Sequence, residues 1–330
     1  MQDRSGTQAR ICVVGAGRWG QNHLRTLHSM GCLAGVVEPE PGRRRWAQEE
    51  YGVSVYDDVS GALRAGFDGY VVAVPAPLHT KVALPLLQEG CAVLIEKPMT
   101  LSAAEALRLV EEGRKHGARI MVGHLLLFHP AMRKIKEIID EGTLGRIVYL
   151  YSNRLNFGKV RAEENAFWSL APHDISLFNC FLGSTPVEVT GRGRAFLRDD
   201  VEDEVQATLR YAGGEEAHIF ASWLHPFKEH RLVVVGSAGM VSYEDSSEQK
   251  EVLLYRKRFE LDKQGAVESF DDGVETVPYP HLLPLTEELR YFVDHLRDGY
   301  ERASGEEGAA VVKVLEQVGE RLESKEDGRG

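Results

Sequence analysis

Through its first 120 or so residues the chain alternates unbroken apolar runs with stretches of helical periodicity. "RICVVGAG" reads as a buried strand, "WGQNHLRTLHSM" as a helix with Gly31 beyond its end, and "LAGVVE" as a second strand. "PGRRRWAQEEYG" is a short polar helix, "VSVYDD" a third strand, and "ALRAG" leads into the strand "GYVVAVP". "LHTKVALPLLQEG" predicts a helix ending at Gly90, "AVLIEKP" a strand stopped by proline, "LSAAEALRLVEEGRKHG" an amphipathic helix, and "ARIMVGHL" one more strand. Apolar runs without alternation are strands covered on both faces, which predicts a doubly wound parallel sheet with right-handed crossovers.

The pattern changes after about residue 123. "PAMRKIKEIIDEG" predicts a helix, "GRIVYLYSNRLNFG" a long strand, and a further helix opens near His173. From Pro186 to about Val277, runs such as "DEVQATLRYAGG" and "HRLVVVGSAGMVSYED" alternate apolar and polar positions between turn signals. Period-two alternation predicts an antiparallel sheet with one covered face. Two helices follow, in "PLTEELRYFVDHLRDG" and near 306–323, before a polar tail. The expected organisation is an α/β domain over 1–122 and an α+β domain over 123–330, the latter an open, mostly antiparallel sheet serving substrate binding and oligomerisation. A length of 330 residues agrees with two cores.

Composition narrows the partners. A net charge of −11 excludes a general binder of nucleic acid or anionic membrane, which needs a basic face. No apolar run approaches the ~18 residues of a membrane helix, and the polar start "MQDRSGTQAR" shows no signal peptide. Cys12, Cys32, Cys91 and Cys180 lie far apart beside apolar segments, as buried thiols of a reducing compartment do. A cytoplasmic protein is expected.

The first strand runs into "VVGAGRWGQNHL", with Gly15, Gly17 and Gly20 in G-x-G-x-x-G spacing at the opening of a helix. In that context the string is a dinucleotide fingerprint of the Rossmann type. Gly15 permits the turn, Gly17 lets backbone approach a pyrophosphate, and Gly20 lets helix and strand pack closely. Arg18 and Trp19 lie inside it and are expected at the cofactor. Glu38 ends the second strand, where a carboxylate meets the adenosine ribose and repels a 2'-phosphate, so NAD is favoured over NADP. Arg43, Arg44 and Arg45 either soften that preference or form a solvated helix face. Pro75 and His79 follow the fourth strand at the sheet's carboxyl edge, where His79 either touches cofactor or begins the next helix.

Glu96, Lys97 and Pro98 end the next strand on the same edge. An ammonium there is either paired with a carboxylate or used on a substrate, since burying it alone is costly. The X-Pro bond at this turn is a candidate cis peptide. With the fingerprint, this E-K-P, the antiparallel second half, and a histidine ten residues before a helix-ending glycine (His173 to Gly183), the chain resembles the Gfo/Idh/MocA oxidoreductases. The resemblance implies that Lys97 and His173 flank the reacting carbon beside the nicotinamide as the catalytic pair, with Glu96 and Lys97 also at the cofactor. Many members carry an aspartate four residues before the histidine; here Ser169 stands there, which takes away an Asp-assisted relay.

"NRLNFGKVRAEENAFWSLAPHDIS" resembles the members acting on nucleotide-linked amino sugars, of the UDP-N-acetylglucosamine (or uronic acid) 3-dehydrogenase type. It offers Asn153, Arg154, Asn156, Lys159, Arg161, Asn165 and Trp168 as substrate contacts, amides and cations suited to a sugar diphosphate. Other readings on the same scaffold are an inositol or simple-sugar dehydrogenase, a ketosugar reductase, or a non-catalytic dinucleotide-binding regulator. The family implies a homodimer or homotetramer paired through the open sheet.

His173 itself sits in "FWSLAPHDISLFNCFLG", where Pro172 starts a helix and Asp174 complements its dipole. A helix N-terminus disfavours imidazolium, and a neutral ring can take a hydroxyl proton. No ligand follows at i+3 or i+4, so no metal is expected. His124 and His129, five apart, are read as packing or supporting residues.

Overall fold

The computed structural model describes residues 8–158, 160–161 and 164–323. The first half runs β1 (Ile11–Val14), α1 (Gly20–Ser29), β2 (Leu33–Val37), α2 (Pro41–Tyr51), β3 (Ser54–Tyr56), α3 (Val59–Ala65) and β4 (Gly69–Val72). It continues through α4 (His79–Gln88), β5 (Ala92–Ile95), α5 (Ala103–His116) and β6 (Arg119–Val122). Then come α6 (Pro130–Asp140), β7 (Ile147–Phe157), α7 (Ala166–Leu170) and α8 (Pro172–Leu182). The strands β8 (Glu188–Arg194), β9 (Glu204–Arg210), β10 (Glu216–Ser222), β11 (Leu224–Gly236), β12 (Met240–Glu244), β13 (Val252–Leu261) and β14 (Val267–Val277) follow. The chain closes with α9 (Pro284–Asp294) and α10 (Gly305–Glu323).

Six strands form a parallel sheet in the order β3-β2-β1-β4-β5-β6. Every residue of β1, β4 and β5 is buried, which is why their sequences show no alternation. Each fully buried Val, Leu or Ile in this core contributes about 1.5–3 kcal/mol. The helices between strands carry their own stop signals. Ser102 caps α5 by accepting from the Glu105 amide at 3.2 Å, and Gly117 ends it in the left-handed region at φ 67°.

The second sheet has eight strands in the order β14-β13-β12-β11-β7-β10-β9-β8, mostly antiparallel, with β10 parallel to β7. Its strands alternate as the sequence does. On β7, Leu150, Ser152 and Arg154 are buried on one face, while Tyr149, Tyr151 and Asn153 turn to the other and keep some exposure.

The chain divides into two compact units, one of Met1–Phe128 with Leu283–Val312, the other of His129–Leu282 with Lys313–Gly330. The boundary expected from the sequence lies between 122 and 123, with everything beyond it in the second domain. The division instead falls after Phe128, and a later segment rejoins the first unit. That return has a physical cause. A Cβ on Gly69 would lie 2.7 Å from Leu296 and 3.0 Å from Phe292, so α9 and its exit pack directly on β4. The Val122 amide also donates to the Ala303 carbonyl at 2.7 Å beside the β6 edge.

Candidate active site

In the first unit, the loop from β1 to α1 has the geometry the fingerprint requires. Gly15 has φ +102°, and a Cβ there would sit 2.9 Å from the Ala73 carbonyl oxygen. On Gly20 a Cβ would meet the Gly15 oxygen at 2.0 Å, so only glycine lets α1 start this close. Around Gly17 nothing lies within 4 Å of the same position, leaving backbone open to approach. The strand order places this loop at the switch point of the sheet, where doubly wound folds bind dinucleotides.

Glu38 is buried at the end of β2. Its two oxygens accept from the Ala16 amide at 2.8 Å and the Glu40 amide at 3.0 Å. The arginine run divides in role. Arg44 donates to the Glu38 carbonyl at 2.7 Å, Arg43 reaches the Glu38 carboxylate at 3.5 Å, and Arg45 is exposed. These residues fit NAD: an open backbone at Gly17 for the pyrophosphate, and a fixed carboxylate at the end of the neighbouring strand for the ribose. Arg18, Trp19 and Pro75 are exposed at this edge.

An alanine at Gly17 is expected to leave the fold and its melting temperature unchanged, because its methyl enters open space. The same methyl stands where a pyrophosphate approaches, so NAD should bind roughly tenfold or more weakly, about 1.4 kcal/mol. Calorimetric titration of the variant beside a thermal melt checks both halves. Wild-type affinity would show that the loop does not face the phosphates.

Beyond β5 the E-K-P turn follows with Glu96 buried, Lys97 half-buried, and the Lys97–Pro98 peptide cis. His79 is buried against this turn, with Nδ1 3.0 Å from the Pro98 oxygen and Nε2 2.9 Å from the Val74 oxygen. Burial pushes its pKa down, so the ring ties β4 to the E-K-P turn as a neutral group. His124, also buried, is pushed down to about 4, first by burial and then by the charge of Lys97.

In the second unit, His173 is the second residue of α8, half-buried, and its carbonyl accepts from the Ser176 hydroxyl at 2.7 Å. Asp174 next to it is fully buried. Both of its oxygens accept from Arg154 Nε, at 3.0 and 2.8 Å, so the first turn of α8 is bolted to the middle of β7. Asp174 does stand in the first turn, as dipole complementarity predicts, but its carboxylate is spent on a specific cation. Beside Arg154 in register on β11 stands His230, pushed down to about 4 by burial and then by the Arg154 and Lys228 charges. His230 Nε2, Ser152 Oγ and Asn156 Oδ1 are buried without a hydrogen-bond partner among the described residues.

The expected substrate contacts are therefore spread out. Asn153, on the opposite face of β7 from Arg154, donates to Glu229 at 2.9 Å. Arg161 is exposed and paired with Glu164. Asn165 caps α7 by accepting from the Trp168 amide at 3.1 Å and donates to Glu202 at 2.8 Å. Trp168 is half-buried, with Nε1 3.9 Å from where a Cβ on Gly319 would sit. Ser169 is buried, and Lys159 lies outside the described residues. His129 caps α6 through Nδ1, accepting from the Ala131 amide at 3.1 Å, a local role like that expected of it. Among the described residues, no group of three or more His, Cys, Asp or Glu is placed to hold a metal ion, and no helix is long and apolar enough to cross a membrane.

Two site features escaped the sequence reading: the Arg154–Asp174 pair and His230. Arg154 shares the inward parity of Leu150 on β7, so an arginine at a core-facing position was the available signal that a buried carboxylate awaited it.

Comparison with known proteins agrees with this geometry. Residues 9–124 match the family described as an oxidoreductase family with an NAD-binding Rossmann fold, and residues 132–242 match the GFO/IDH/MocA C-terminal domain. The chain is 33% identical over 251 residues to inositol 2-dehydrogenase 1 of Saccharopolyspora erythraea, covering 71% of this chain and 73% of that one. The chain belongs to the Gfo/Idh/MocA family. It is also 29% identical over 214 residues to UDP-N-acetylglucosamine 3-dehydrogenase of Acidithiobacillus ferrooxidans, covering 64% of this chain and 66% of that protein. The solved structure of UDP-N-acetylglucosamine 3-dehydrogenase GnnA from that organism superposes with a TM-score of 0.83 at 24% identity, over 97% of this chain and 99% of the other, a likeness of fold. As a Gfo/Idh/MocA member the protein is an NAD-dependent oxidoreductase.

Proposed function

We propose that this dehydrogenase oxidises a secondary ring hydroxyl, at C3, of a nucleotide-linked amino sugar such as UDP-N-acetylglucosamine or its uronic acid. The observation that carries a polyhydroxylated ring substrate is the face of the second sheet beside α8. There a buried Arg154–Asp174 pair fixes the first turn of α8, and His173 stands half-buried on that turn. A half-buried imidazole on a fixed helix turn suits removal of a hydroxyl proton, the step that oxidation of any ring alcohol requires. The relative named UDP-N-acetylglucosamine 3-dehydrogenase supports the nucleotide-linked form.

In this reading His173 takes the hydroxyl proton, and Lys97 donates to the same oxygen and steadies its developing negative charge. Bound NAD+ supplies the hydride acceptor. Gly17 backbone and Glu38 hold the cofactor, while Arg154 and Asp174 keep the start of α8 in place.

A specific observation favours a second reading, a cyclitol substrate. The higher identity is to an inositol 2-dehydrogenase, and Arg154, Asn153 and Arg161 already have carboxylate partners that a diphosphate would have to displace. NADH formation decides between them when the protein is offered NAD+ with UDP-N-acetylglucosamine, its uronic acid, free N-acetylglucosamine or myo-inositol. Response confined to the UDP-sugars supports the proposal. Response to myo-inositol or free sugar alone overturns its nucleotide part.

The open face of the eight-stranded sheet supports assembly into a homodimer or homotetramer. Tyr149, Tyr151, Phe220, Val233 and Tyr255 lie on it, partly exposed.

A further inference from the structure

In the first unit a buried polar cluster joins the phosphate-binding helix to the E-K-P turn, and the reaction described above uses none of its side chains directly. His23 is fully buried on α1, and its Nε2 donates to Glu96 Oε1 at 2.6 Å. Trp19 Nε1 donates to the same oxygen. Trp19 and His23 are four residues apart, so they leave one side of the helix start together, with their rings edge to face at 6.2 Å. The second carboxylate oxygen, Glu96 Oε2, accepts from the Lys97 backbone amide at 3.1 Å. Space is reserved for this arrangement: a Cβ on Gly123 would stand 3.1 Å from Glu96 Oε2. Glu96 thus spans a helix on one oxygen and the lysine-bearing turn on the other.

Other ionisable groups frame the cluster without taking over these bonds. Glu288 on α9 is buried, has no ion-pair partner among the described residues, and its Oε1 lacks a hydrogen-bond partner among them. Burial first, and then the Glu96 charge, pushes its carboxyl well above the usual carboxylate range. His124, pushed down by burial and the Lys97 charge, also feels the Glu96 charge, which pushes it the other way. Burial pushes Glu96 up, but the hydrogen bond and charge of His23, with Trp19 and the Lys97 amide, bring it below the usual range. It is the ionised acceptor of the group.

We infer that His23 and Glu96, with Trp19, are positioning residues for Lys97, a brace that fixes the E-K-P turn against the helix whose N-terminus faces the cofactor phosphates. The inference rests on Lys97 acting on substrate as proposed above. Its chemistry is geometric. A charge-assisted hydrogen bond to a buried carboxylate is short and stiff, and the lysine side chain starts one bond beyond the amide so held. A shift of about 1 Å in a group acting at a reacting centre costs up to about 10²-fold in rate.

The test uses Glu96→Gln, which keeps size and removes charge, and His23→Gln, which leaves the carboxylate in place and keeps a donor. Both should lower kcat by about 10- to 100-fold, and His23→Gln, at a residue not expected at the cofactor, should do so with the NAD dissociation constant at its wild-type value. A second readout needs neither cofactor nor substrate. In protein labelled with 15N-lysine, the Lys97 amide, identified by its loss in Lys97→Arg, should move upfield in both variants, further in Glu96→Gln. His23→Leu, without a donor, should lose more turnover than His23→Gln. If Glu96→Gln does not fold, the two His23 variants carry the same comparison. Unchanged kcat and an unmoved Lys97 amide, with Lys97→Ala inactive, would overturn the brace alone. Near-native turnover in Lys97→Ala would overturn both the brace and the catalytic reading.

Discussion

Alanine at His173 is expected to lower kcat by about 10²- to 10⁴-fold, the range that a positioned general base contributes. Affinity for NAD should not change, because the open backbone at Gly17 and the Glu38 carboxylate are expected to hold the cofactor and His173 is not. The expected cause is simple. The proton of a secondary alcohol must leave as the carbon gives up hydride, and His173 is the half-buried titratable group presented at the start of α8. Lys97→Ala should cost about 10²- to 10³-fold, the loss found when one donor to a developing oxyanion is removed. The two effects should be less than additive if both residues act on one oxygen. Steady-state kinetics on the single and double variants, with cofactor affinity measured separately, checks this. Near-native turnover in His173→Ala would remove it from the chemistry.

The second large effect is on stability. Asp174→Ala should destabilise the protein by about 3–5 kcal/mol, because it strands the Arg154 guanidinium in a buried place without its carboxylate. Most of that figure is the penalty for the stranded charge. Replacing both partners with apolar residues of similar volume, Arg154→Met with Asp174→Leu, should therefore recover much of the loss. The single variant should also depress turnover, since the pair anchors the turn that carries His173. Denaturant unfolding of the two variants beside wild type measures the difference. A loss within about 0.5 kcal/mol, the range of an ordinary surface change, would show that the pair holds nothing.

The parallel half was legible because its strands are buried on both faces and therefore apolar throughout. Ile11 to Val14 and Ala92 to Ile95 leave no polar position to confuse the period. The antiparallel half was legible from alternation, as in "DEVQATLRYAGG", where Val205, Ala207 and Leu209 are buried on one side of β9. Pairings distant in sequence were not. Nothing local in "PLTEELRYFVDHLRDG" says that α9 returns to lie on Gly69, because periodicity reports which face is buried and not against what.

The same limit shaped the site. Gly15, Gly20 and Glu38 carried their roles openly, since each must meet a backbone constraint or a strand end that spacing reveals. Arg154 looked like a cation for a diphosphate, and Asp174 like a dipole partner. Together, 20 residues apart, they form one buried pair, which neither segment shows alone. The Glu96 brace was hidden for the same reason: His23 is 73 residues away from it in the chain.

The most direct test of the proposed reaction is isotopic. The protein is mixed in single turnover with NAD+ and UDP-N-acetylglucosamine carrying deuterium at C3, and the quenched nicotinamide dinucleotide is weighed by mass spectrometry. Oxidation at C3 by the bound cofactor predicts deuterated NADH and a 3-keto UDP-sugar in equal amounts. Unlabelled NADH, or deuterium left on the sugar, would contradict it.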